Sequence, residues 1–192
     1  VDDFVQYVRQ LAEAGADVLQ LRDKVQDGGA LVKYARAAAA VLEQTSTWLI
    51  INDRVDIALA SRADGVHIGQ EDMTLTDVRR LSGQLCVGVS THNIEQALTA
   101  EVQGADYIGC GPTFNSSTKS FTHFPGVDFI REVSQRIAVP AFAIGGISLD
   151  NLDAVLQAGC HRVAVSSAIH NCLNPVHAIQ EFKRALTRRA VD

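Results

Sequence analysis

Short apolar runs rich in valine and isoleucine recur along the chain, and stretches with helical spacing of apolar residues lie between most of them. The runs are DVLQLR, WLIIND, DGVHIG, CVGVST, DYIGCG, PAFAIGG and RVAVSS. The alternation of such runs with helical stretches predicts a parallel sheet with helical crossovers, buried on both faces. Examples of the predicted helices are Phe4–Ala14, Leu31–Gln44, Leu75–Leu81, Asn93–Gln103, Val127–Arg136 and Leu149–Ala158.

A weak internal repeat extends this pattern. The segments AGADVLQLR, SRADGVHIG, QGADYIGCG and QAGCHRVAV each place small residues at the end of a helix, directly before a strand. One βα unit used many times predicts an α/β fold of the TIM (β/α)8-barrel type. The rival is a doubly wound open sheet, which would be expected to carry a GxGxxG turn that this chain lacks.

The predicted barrel is short of one strand at its beginning. The chain starts in a helix, with no apolar run before it, so the first strand of such a barrel is apparently missing. We expect residues 1–192 to form a single (β/α) barrel domain cut from a longer protein, which leaves room for an upstream domain. An unclosed barrel would expose two unpaired sheet edges.

Composition and charge exclude several classes of protein. The 192 residues are 47% hydrophobic and 20% charged, which is typical of a globular domain. The net charge of −5 argues against nucleic-acid binding, and no apolar run is long enough to span a membrane. The N-terminal residues are acidic rather than basic and apolar, so no signal peptide is expected. The four cysteines form no CxxC pair, which favours reduced thiols and a cytoplasmic location.

Polar residues follow the predicted strands where each strand ends. Because the carboxyl ends of barrel strands face the site common to such enzymes, these residues are candidates for one site. They combine cations, carboxylates, hydroxyl groups and glycines, a composition that a packed core would not contain. They are Gln20, Arg22, Lys24, Asn52, Asp53, Gln70, Asp72, Ser90, the segment 111–119, Gly145, Gly146, Ser166 and Ser167.

The strand LQLRDK indicates an anion site. Its alternation places Gln20, Arg22 and Lys24 on one face of the strand. Buried charges of this kind need a ligand or one another. A diphosphate would satisfy them, because arginine offers a planar fork to phosphate oxygens and lysine offers a point charge. A solvated rim with surface ion pairs is the alternative.

Asp53 and Asp72 are candidate magnesium ligands. Both are hard oxygen ligands that follow neighbouring predicted strands. Magnesium typically takes one or two carboxylates together with substrate phosphates and water. The alternative is that both residues simply cap the helices that follow.

Three further segments indicate phosphate binding. The segment from Gly111 to Lys119, GPTFNSSTK, joins glycine, hydroxyl-bearing residues and a lysine in a predicted loop. A surface loop without a ligand is the alternative there. The segments AIGGI and AVSSAI resemble a phosphate site built from backbone N–H groups after the last strands of a barrel.

The histidines indicate less. His67 either faces the pocket or belongs to the core, and His92 is a candidate for supporting the site. The chain contains no HxH, HExxH, GxSxG or CxxC motif. The sequence therefore predicts neither a zinc site nor a covalent nucleophile.

Taken in order, these motifs resemble the thiamine-phosphate synthase family. QLRDK, INDRVDIALASRADGVHIGQED, GVSTHN, ADYIGCGPTFNSSTK, AIGGI and AVSSAI carry the resemblance, which runs from about Leu11 to Ile169. It implies a TIM barrel that joins hydroxymethylpyrimidine diphosphate to thiazole phosphate and releases pyrophosphate, in thiamine biosynthesis. It also implies Mg²⁺ and a dissociative mechanism in which pyrophosphate leaves before the thiazole nitrogen attacks.

The resemblance assigns roles to the candidate residues. Asp53 and Asp72 would bind magnesium, and Ser90 would lie beside the diphosphate or the pyrimidine. The residues implied to stabilise the departing pyrophosphate or to act beside it are Arg22, Lys24, Lys119 and Ser90. The pyrimidine diphosphate would be held by Gln20, Arg22, Lys24, Asn52 and Lys119. The thiazole phosphate would be held by Ser116, Thr118, Gly145, Gly146, Ser166 and Ser167.

This chain departs from the family pattern in two places, and two other functions compete. The loop reads Ser116-Ser117-Thr118-Lys119 where the family usually has Thr-x-Thr-Lys, and the first strand is missing.

A thiazole tautomerase-like isomerase on the same barrel would rely on a pocket histidine, for which His92 is the candidate. A non-catalytic sensor of thiamine intermediates would keep the barrel without the reaction.

Overall fold

The computed structural model describes residues 1–115 and 125–188. The predicted site residues Ser116, Thr118 and Lys119 lie outside the described residues. Within the described part, the chain forms two compact units, Val1–Gly88 and Val89–Asp192. Each unit alternates helices with parallel strands, and the strand order within each unit follows the order in the chain. No helix in residues 1–115 or 125–188 is long and apolar enough to cross a membrane.

The first unit contains the parallel strands β1, β2 and β3. Val18 pairs with Trp48 at the start of β1 and β2, and Asn52 pairs with His67 at the end of β2 and β3. Side-chain caps begin two of the helices: Asp27 accepts a hydrogen bond from the Ala30 N–H at 2.8 Å, and Thr74 caps the last helix of the unit. The elements are α1 (Asp2–Glu13), β1 (Val18–Leu21), α2 (Gly28–Leu42), β2 (Trp48–Asn52), α3 (Val55–Ser61), β3 (Gly65–Ile68) and α4 (Leu75–Leu81).

Strand β4 (Cys86–Thr91) runs from the end of the first unit into the second. In the second unit, β5 pairs with β6 and β6 with β7, all in parallel. Its core includes Ile108, Ile130 and Val155, all of which are buried. The remaining elements are α5 (Ile94–Val102), β5 (Tyr107–Cys110), α6 (Gly126–Arg136), β6 (Ala141–Ile144), α7 (Leu152–Gln157), β7 (Val163–Ala164), α8 (Ser167–His170) and α9 (Pro175–Arg188).

The apolar runs were reliable guides to the strands. Each of them contains one strand, and the described residues hold seven strands in all. Strands β2 and β3 are buried at almost every position, as expected for strands covered on both faces. Strand β1, in contrast, alternates exposed and half-buried residues. Helix α1 precedes it, as predicted from the sequence.

The helix boundaries agree less closely. Helix α4 matches its prediction, but α7 begins at Leu152 rather than at Leu149. The Asn151 side chain explains this shift, because it accepts a hydrogen bond from the Ser148 N–H at 2.9 Å and donates to the Gly146 carbonyl at 2.9 Å. These contacts hold a turn before the helix can start. Helices α3, α8 and α9 are not among the stretches named from the sequence.

Candidate active site

In the first unit, the ends of β1 and β2 bring predicted site residues together. The register pairs Gln20 with Ile50 and Leu21 with Ile51, so the residues that follow these strands come side by side. The Arg22 guanidinium donates a hydrogen bond from Nη1 to the Asn52 side-chain oxygen at 3.2 Å. Asn52 itself is buried. Because the Asn52 side chain is buried, this hydrogen bond fixes the orientation of the Arg22 guanidinium.

Lys24 and Asp53 form an ion pair in the same place. The Lys24 ammonium lies 3.1 Å from Oδ2 of Asp53, and the carboxylate is the more buried partner, at 20% exposure against 59%. Burial acts to raise the pKa of Asp53, but hydrogen bonding with Asp72, the hydrogen bond from Lys24, and the charges of Lys24 and Arg22 hold this pKa below its usual value. Asp53 is therefore ionised at neutral pH.

The backbone at Asp53 adopts an unusual conformation. Its φ is +61°, in the left-handed region that only a few per cent of non-glycine residues occupy, with aspartate among the more tolerant types. The Asp53 N–H still donates to the His67 carbonyl at 2.8 Å, as a continuation of the sheet. The Arg54 N–H then turns back to the Asn52 carbonyl at 2.7 Å. The turn brings Asp53 to the cation of Lys24 and ends β2.

Asp72 reaches the same cluster from the segment after β3. Its Oδ2 accepts a hydrogen bond from the Gly69 N–H at 2.7 Å, and its carboxyl group is hydrogen-bonded to that of Asp53. A Cβ at Gly69 would lie 2.9 Å from Oδ2, so the glycine makes room for this carboxylate. Two carboxyl groups in contact need a proton or a cation between them. This oxygen-only pair fits a magnesium ion, which typically takes one or two carboxylates.

The described residues contain no group of three or more histidine, cysteine, aspartate or glutamate side chains that could hold a metal. Asp53 and Asp72 are thus a two-carboxylate arrangement, and the prediction of magnesium at this pair stays a prediction. The neighbouring His67 is 8% exposed. Burial lowers its pKa to about 4, with opposing effects from Asp53, which raises it, and Arg22, which lowers it. The imidazole is therefore neutral near pH 7.

The second unit places the glycine pair after β6, where it was predicted to bind phosphate. Gly145 and Gly146 have φ of +100° and +62°. The segment after β5 packs directly on this turn: the Thr113 N–H and hydroxyl both donate to the Ile144 carbonyl, at 2.8 and 3.0 Å, and the Phe114 N–H donates to the Gly145 carbonyl at 3.0 Å. The turn is therefore shaped by backbone contacts.

The other predicted residues of this unit lie at element ends. Ser90 is half-buried near the end of β4, and Ser166 is the residue before α8, with Ser167 as its first residue. The N–H groups of Ile169 and His170 donate to the Ser166 carbonyl at 2.9 Å. The structure thus places Ser166 and Ser167 at the beginning of a short helix.

Three features shape the second unit: Asn151 was missed as a site residue, whereas Thr113 and the Gly111–Pro112 peptide lie within the segment 111–119 that the sequence indicated. Thr113 is 1% exposed and ties the segment after β5 to β6, Asn151 holds the Gly146 carbonyl, and the cis peptide between Gly111 and Pro112 redirects the chain. The Gly-Pro dipeptide was visible as a turn signal. Threonine and asparagine carry no comparable signal, because their roles depend on which carbonyl group comes within reach.

Alternating parallel strands and helices, with polar residues at the strand ends, define the class of the protein, an α/β fold of the TIM-barrel type. The thiamine phosphate pyrophosphorylase from Pyrococcus furiosus has a similar structure, with a TM-score of 0.90, 31% identity and coverage of 96% of this chain and 90% of that one. The family model for thiamine monophosphate synthase matches residues 1–169. The chain belongs to the thiamine monophosphate synthase family.

Two relatives show the extent of the likeness. The thiamine-phosphate synthase of Halalkalibacterium halodurans is 39% identical over 92% of this chain and 85% of its own length. The thiamine-phosphate synthase of Rhodopirellula baltica is 47% identical over 84% of this chain. The match spans 45% of that relative, so this chain corresponds to about half of its length.

Proposed function

We propose that this chain is a thiamine-phosphate synthase, which couples hydroxymethylpyrimidine diphosphate with hydroxyethylthiazole phosphate and releases pyrophosphate. The observation that carries the proposal is the cluster at the strand ends of the first unit, in a chain of this family. In this cluster, two cationic side chains and two carboxylates lie close to one side-chain amide. The members are Arg22, Lys24, Asn52, Asp53 and Asp72.

The diphosphate would bind through this cluster. Arg22 is held by Asn52, so its remaining N–H groups are oriented for a phosphate oxygen. Lys24 is 59% exposed and reaches Asp53 at 3.1 Å, and its ammonium can turn to an incoming phosphate at little cost. By the alternation of the strand, Gln20 lies on the same face as Arg22 and Lys24. A magnesium ion held by Asp53 and Asp72 would neutralise charge on the diphosphate.

The proposed reaction requires stabilisation of charge and no nucleophilic side chain of the protein. When the bond between the pyrimidine methylene carbon and the diphosphate oxygen breaks, the electron pair leaves with pyrophosphate and a pyrimidine-methyl cation remains. The thiazole nitrogen then supplies the pair for the new carbon–nitrogen bond. Arg22 and Lys24, with Lys119 and Ser90 proposed beside them, would stabilise the developing negative charge on the leaving group.

The thiazole phosphate would bind in the second unit. Gly145 and Gly146 form a turn with positive φ, and its backbone N–H groups are proposed to bind the phosphate. Ser166 and Ser167, at the start of α8, are proposed as further contacts, together with Ser116 and Thr118.

The setting of the enzyme is also proposed. All four cysteines are free thiols, which supports a reducing cytoplasm. We also propose that residues 1–192 act as one domain whose partners are these small molecules rather than nucleic acid or membrane, in keeping with the net charge of −5. A domain upstream in the natural protein would be compatible with the longer R. baltica relative.

The test is pyrophosphate release from the two substrates, with and without magnesium, for the unchanged chain and for Asp72→Ala. We expect magnesium-dependent release that falls on the order of 100- to 1,000-fold in the variant, the loss typical when one group that stabilises developing charge is removed. Asp56→Ala is the matched control, because Asp56 is 64% exposed and forms an ion pair with Arg54, away from the proposed site. It should keep full activity.

Two results would contradict the proposal. One is the absence of pyrophosphate release from a chain that circular dichroism shows to be folded. The other is equal activity in Asp72→Ala and Asp56→Ala. The first result would favour an isomerase or a sensor, and an assay of thiazole phosphate isomerisation would separate those two.

A further inference from the structure

The segment Gly111–Asn115 is anchored at its beginning by the end of β4. The Gly111 N–H donates to the Thr91 carbonyl at 3.1 Å. The Gly111 carbonyl lies 2.5 Å from Nδ1 of His92. Both polar backbone groups of Gly111 are therefore held by two consecutive residues, immediately before the cis peptide bond to Pro112.

The same segment is pressed against the glycine turn on its other side. A Cβ at Gly145 would come within 2.8 Å of Pro112, and a Cβ at Gly146 would come within 2.6 Å of the Asn115 carbonyl oxygen. Hydrogen bonds from Thr113 and Phe114 to residues 144 and 145 close the contact. The segment thus packs between His92 and the glycine turn, and its backbone conformation determines the positions of its carbonyl oxygens.

His92 is itself fixed by the elements on either side of it. It follows β4 directly, and its backbone N–H donates to the Gln96 side-chain oxygen in α5 at 2.8 Å. Gln96 is held in turn, because its own N–H donates to the Asn93 side-chain oxygen, the cap of α5, at 2.9 Å. The imidazole therefore stands on a rigid base and is only half-buried.

The contact with Gly111 determines which ring nitrogen carries a proton. A carbonyl oxygen can only accept a hydrogen bond, so Nδ1 of His92 must be the donor at this distance. The Nδ1 proton is thereby committed to the backbone. A histidine that transferred this proton during a reaction would have to release Gly111 in every turnover.

We propose that His92 is a positioning residue that sets the segment Pro112–Asn115 against the Gly145–Gly146 turn and so determines affinity for the thiazole phosphate. The inference rests on the proposed function for the identity of the ligand. Carbonyl oxygens of Phe114 and Asn115 lie close to Gly146, and a shift of the segment would move these negative dipoles toward the turn where the phosphate is proposed to bind. Without the bond from His92, the beginning of the segment keeps only the hydrogen bond from the Gly111 N–H to Thr91, so that the residues after it can shift against the turn.

The test compares His92→Asn with His92→Gln. The asparagine amide nitrogen can occupy the place of Nδ1, whereas glutamine carries its amide one methylene further out. Loss of one hydrogen bond corresponds to roughly a tenfold change. We expect His92→Gln to raise the KM for thiazole phosphate about tenfold and to leave the KM for the pyrimidine diphosphate unchanged. His92→Asn should recover most of the loss.

His161→Ala is the matched control, because His161 is exposed in the loop before β7. It should change neither KM. Equal defects in the asparagine and glutamine variants, or equal increases in both KM values, would overturn the positioning role. A loss of kcat with unchanged KM would also overturn it and would point to proton transfer by His92.

Calorimetric binding of thiazole phosphate alone separates this proposal from the synthase proposal. If the unchanged chain binds thiazole phosphate but releases no pyrophosphate, the synthase proposal fails. The positioning role is then judged on the Kd values of the two variants, with the same tenfold difference expected. If the Kd values of both variants equal that of the unchanged chain, the positioning role fails, whatever the activity.

Discussion

The two units of this chain build their candidate sites from different materials. In the unit Val1–Gly88, charged side chains contact one another: Lys24 pairs with Asp53, and Asp53 contacts Asp72. In the second unit, the segment Gly111–Asn115 and the Gly145–Gly146 turn contact each other mainly through backbone groups. The first kind of site is specified by the type of residue, and the second by the path of the chain. They should therefore respond differently to substitution.

The largest effect is expected at Arg22, in the site made of side chains. Arg22→Ala removes the fork that Asn52 orients, and we expect kcat/KM for the pyrimidine diphosphate to fall about 100-fold, from the loss of charge-assisted hydrogen bonds. Arg22→Lys keeps the charge without the planar fork, so it should recover only part of the loss. Steady-state kinetics with each substrate varied in turn measures both.

Arg80→Ala is the control for Arg22, because Arg80 is 75% exposed and pairs with Asp77 on the surface of α4. It should change kcat/KM by less than about twofold, as expected for a surface ion pair. Full activity of Arg22→Lys would show that charge alone matters at this position. Arg22 would then act as a point charge rather than as an oriented fork.

A smaller effect is expected at Gly146, in the site made of backbone. Gly146→Ala places a methyl group 2.6 Å from the Asn115 carbonyl oxygen and 2.8 Å from that of Phe114, so the backbone must move. We expect about 2–3 kcal/mol of lost stability, in the range for overpacking a tight contact. Urea unfolding measures it, and the KM for thiazole phosphate should rise in parallel.

Gly104→Ala separates conformational strain from the close contact. Gly104 also has positive φ, +87°, but nothing lies within 4 Å of its Cβ position. Its φ is further from the usual left-handed value than the +62° of Gly146, so strain alone would penalise Gly104 at least as much. The variant should lose only about 1 kcal/mol. Equal losses in the two variants would mean that the carbonyl contacts at Gly146 are unimportant.

The same difference explains how much the sequence could predict. The strands were found because each lies in a short run rich in valine, isoleucine and other apolar residues, and the TIM-barrel type of fold was predicted correctly from the alternation of these runs with helices. At the site, Asp53 and Asp72 were grouped because both follow neighbouring strands, and the structure brings their carboxyl groups together. What could not be predicted is that Lys24 pairs with Asp53, because the left-handed turn at Asp53 decides where its side chain points.

In the second unit the sequence predicted less. The Gly145–Gly146 pair was visible, but the contacts that shape it come from Thr113, Asn151 and the segment after β5. His92 was a candidate support for the site, yet its partner is a carbonyl group 19 positions away. Every residue has a carbonyl group, so no pattern of residue types can indicate which one a side chain will reach.

The smallest effect is expected at Cys110, where the two units can be compared by the pH dependence of the free energy of unfolding. In the first unit, charged partners lower the pKa of Asp53 against the effect of its burial. In the second unit, burial raises the pKa of the Cys110 thiol to about 12. A hydrogen bond with Thr91 lowers this pKa, and the neighbouring Cys160 raises it further. Above about pH 9 the unfolded chain loses this proton while the folded chain keeps it. The free energy of unfolding should therefore fall as pH rises from about 9 to 12, by at most about 1.4 kcal/mol per pH unit from this group.

Urea unfolding between pH 8 and 10.5 measures this slope against that of Cys110→Ala. The alanine variant will be less stable at pH 8, since it leaves a small cavity at a residue that is fully buried, but its stability should fall less steeply with pH. Other groups that titrate in this range contribute equally to both chains, so the difference in slope belongs to Cys110. Identical slopes in the two chains would mean that burial does not raise the pKa of Cys110.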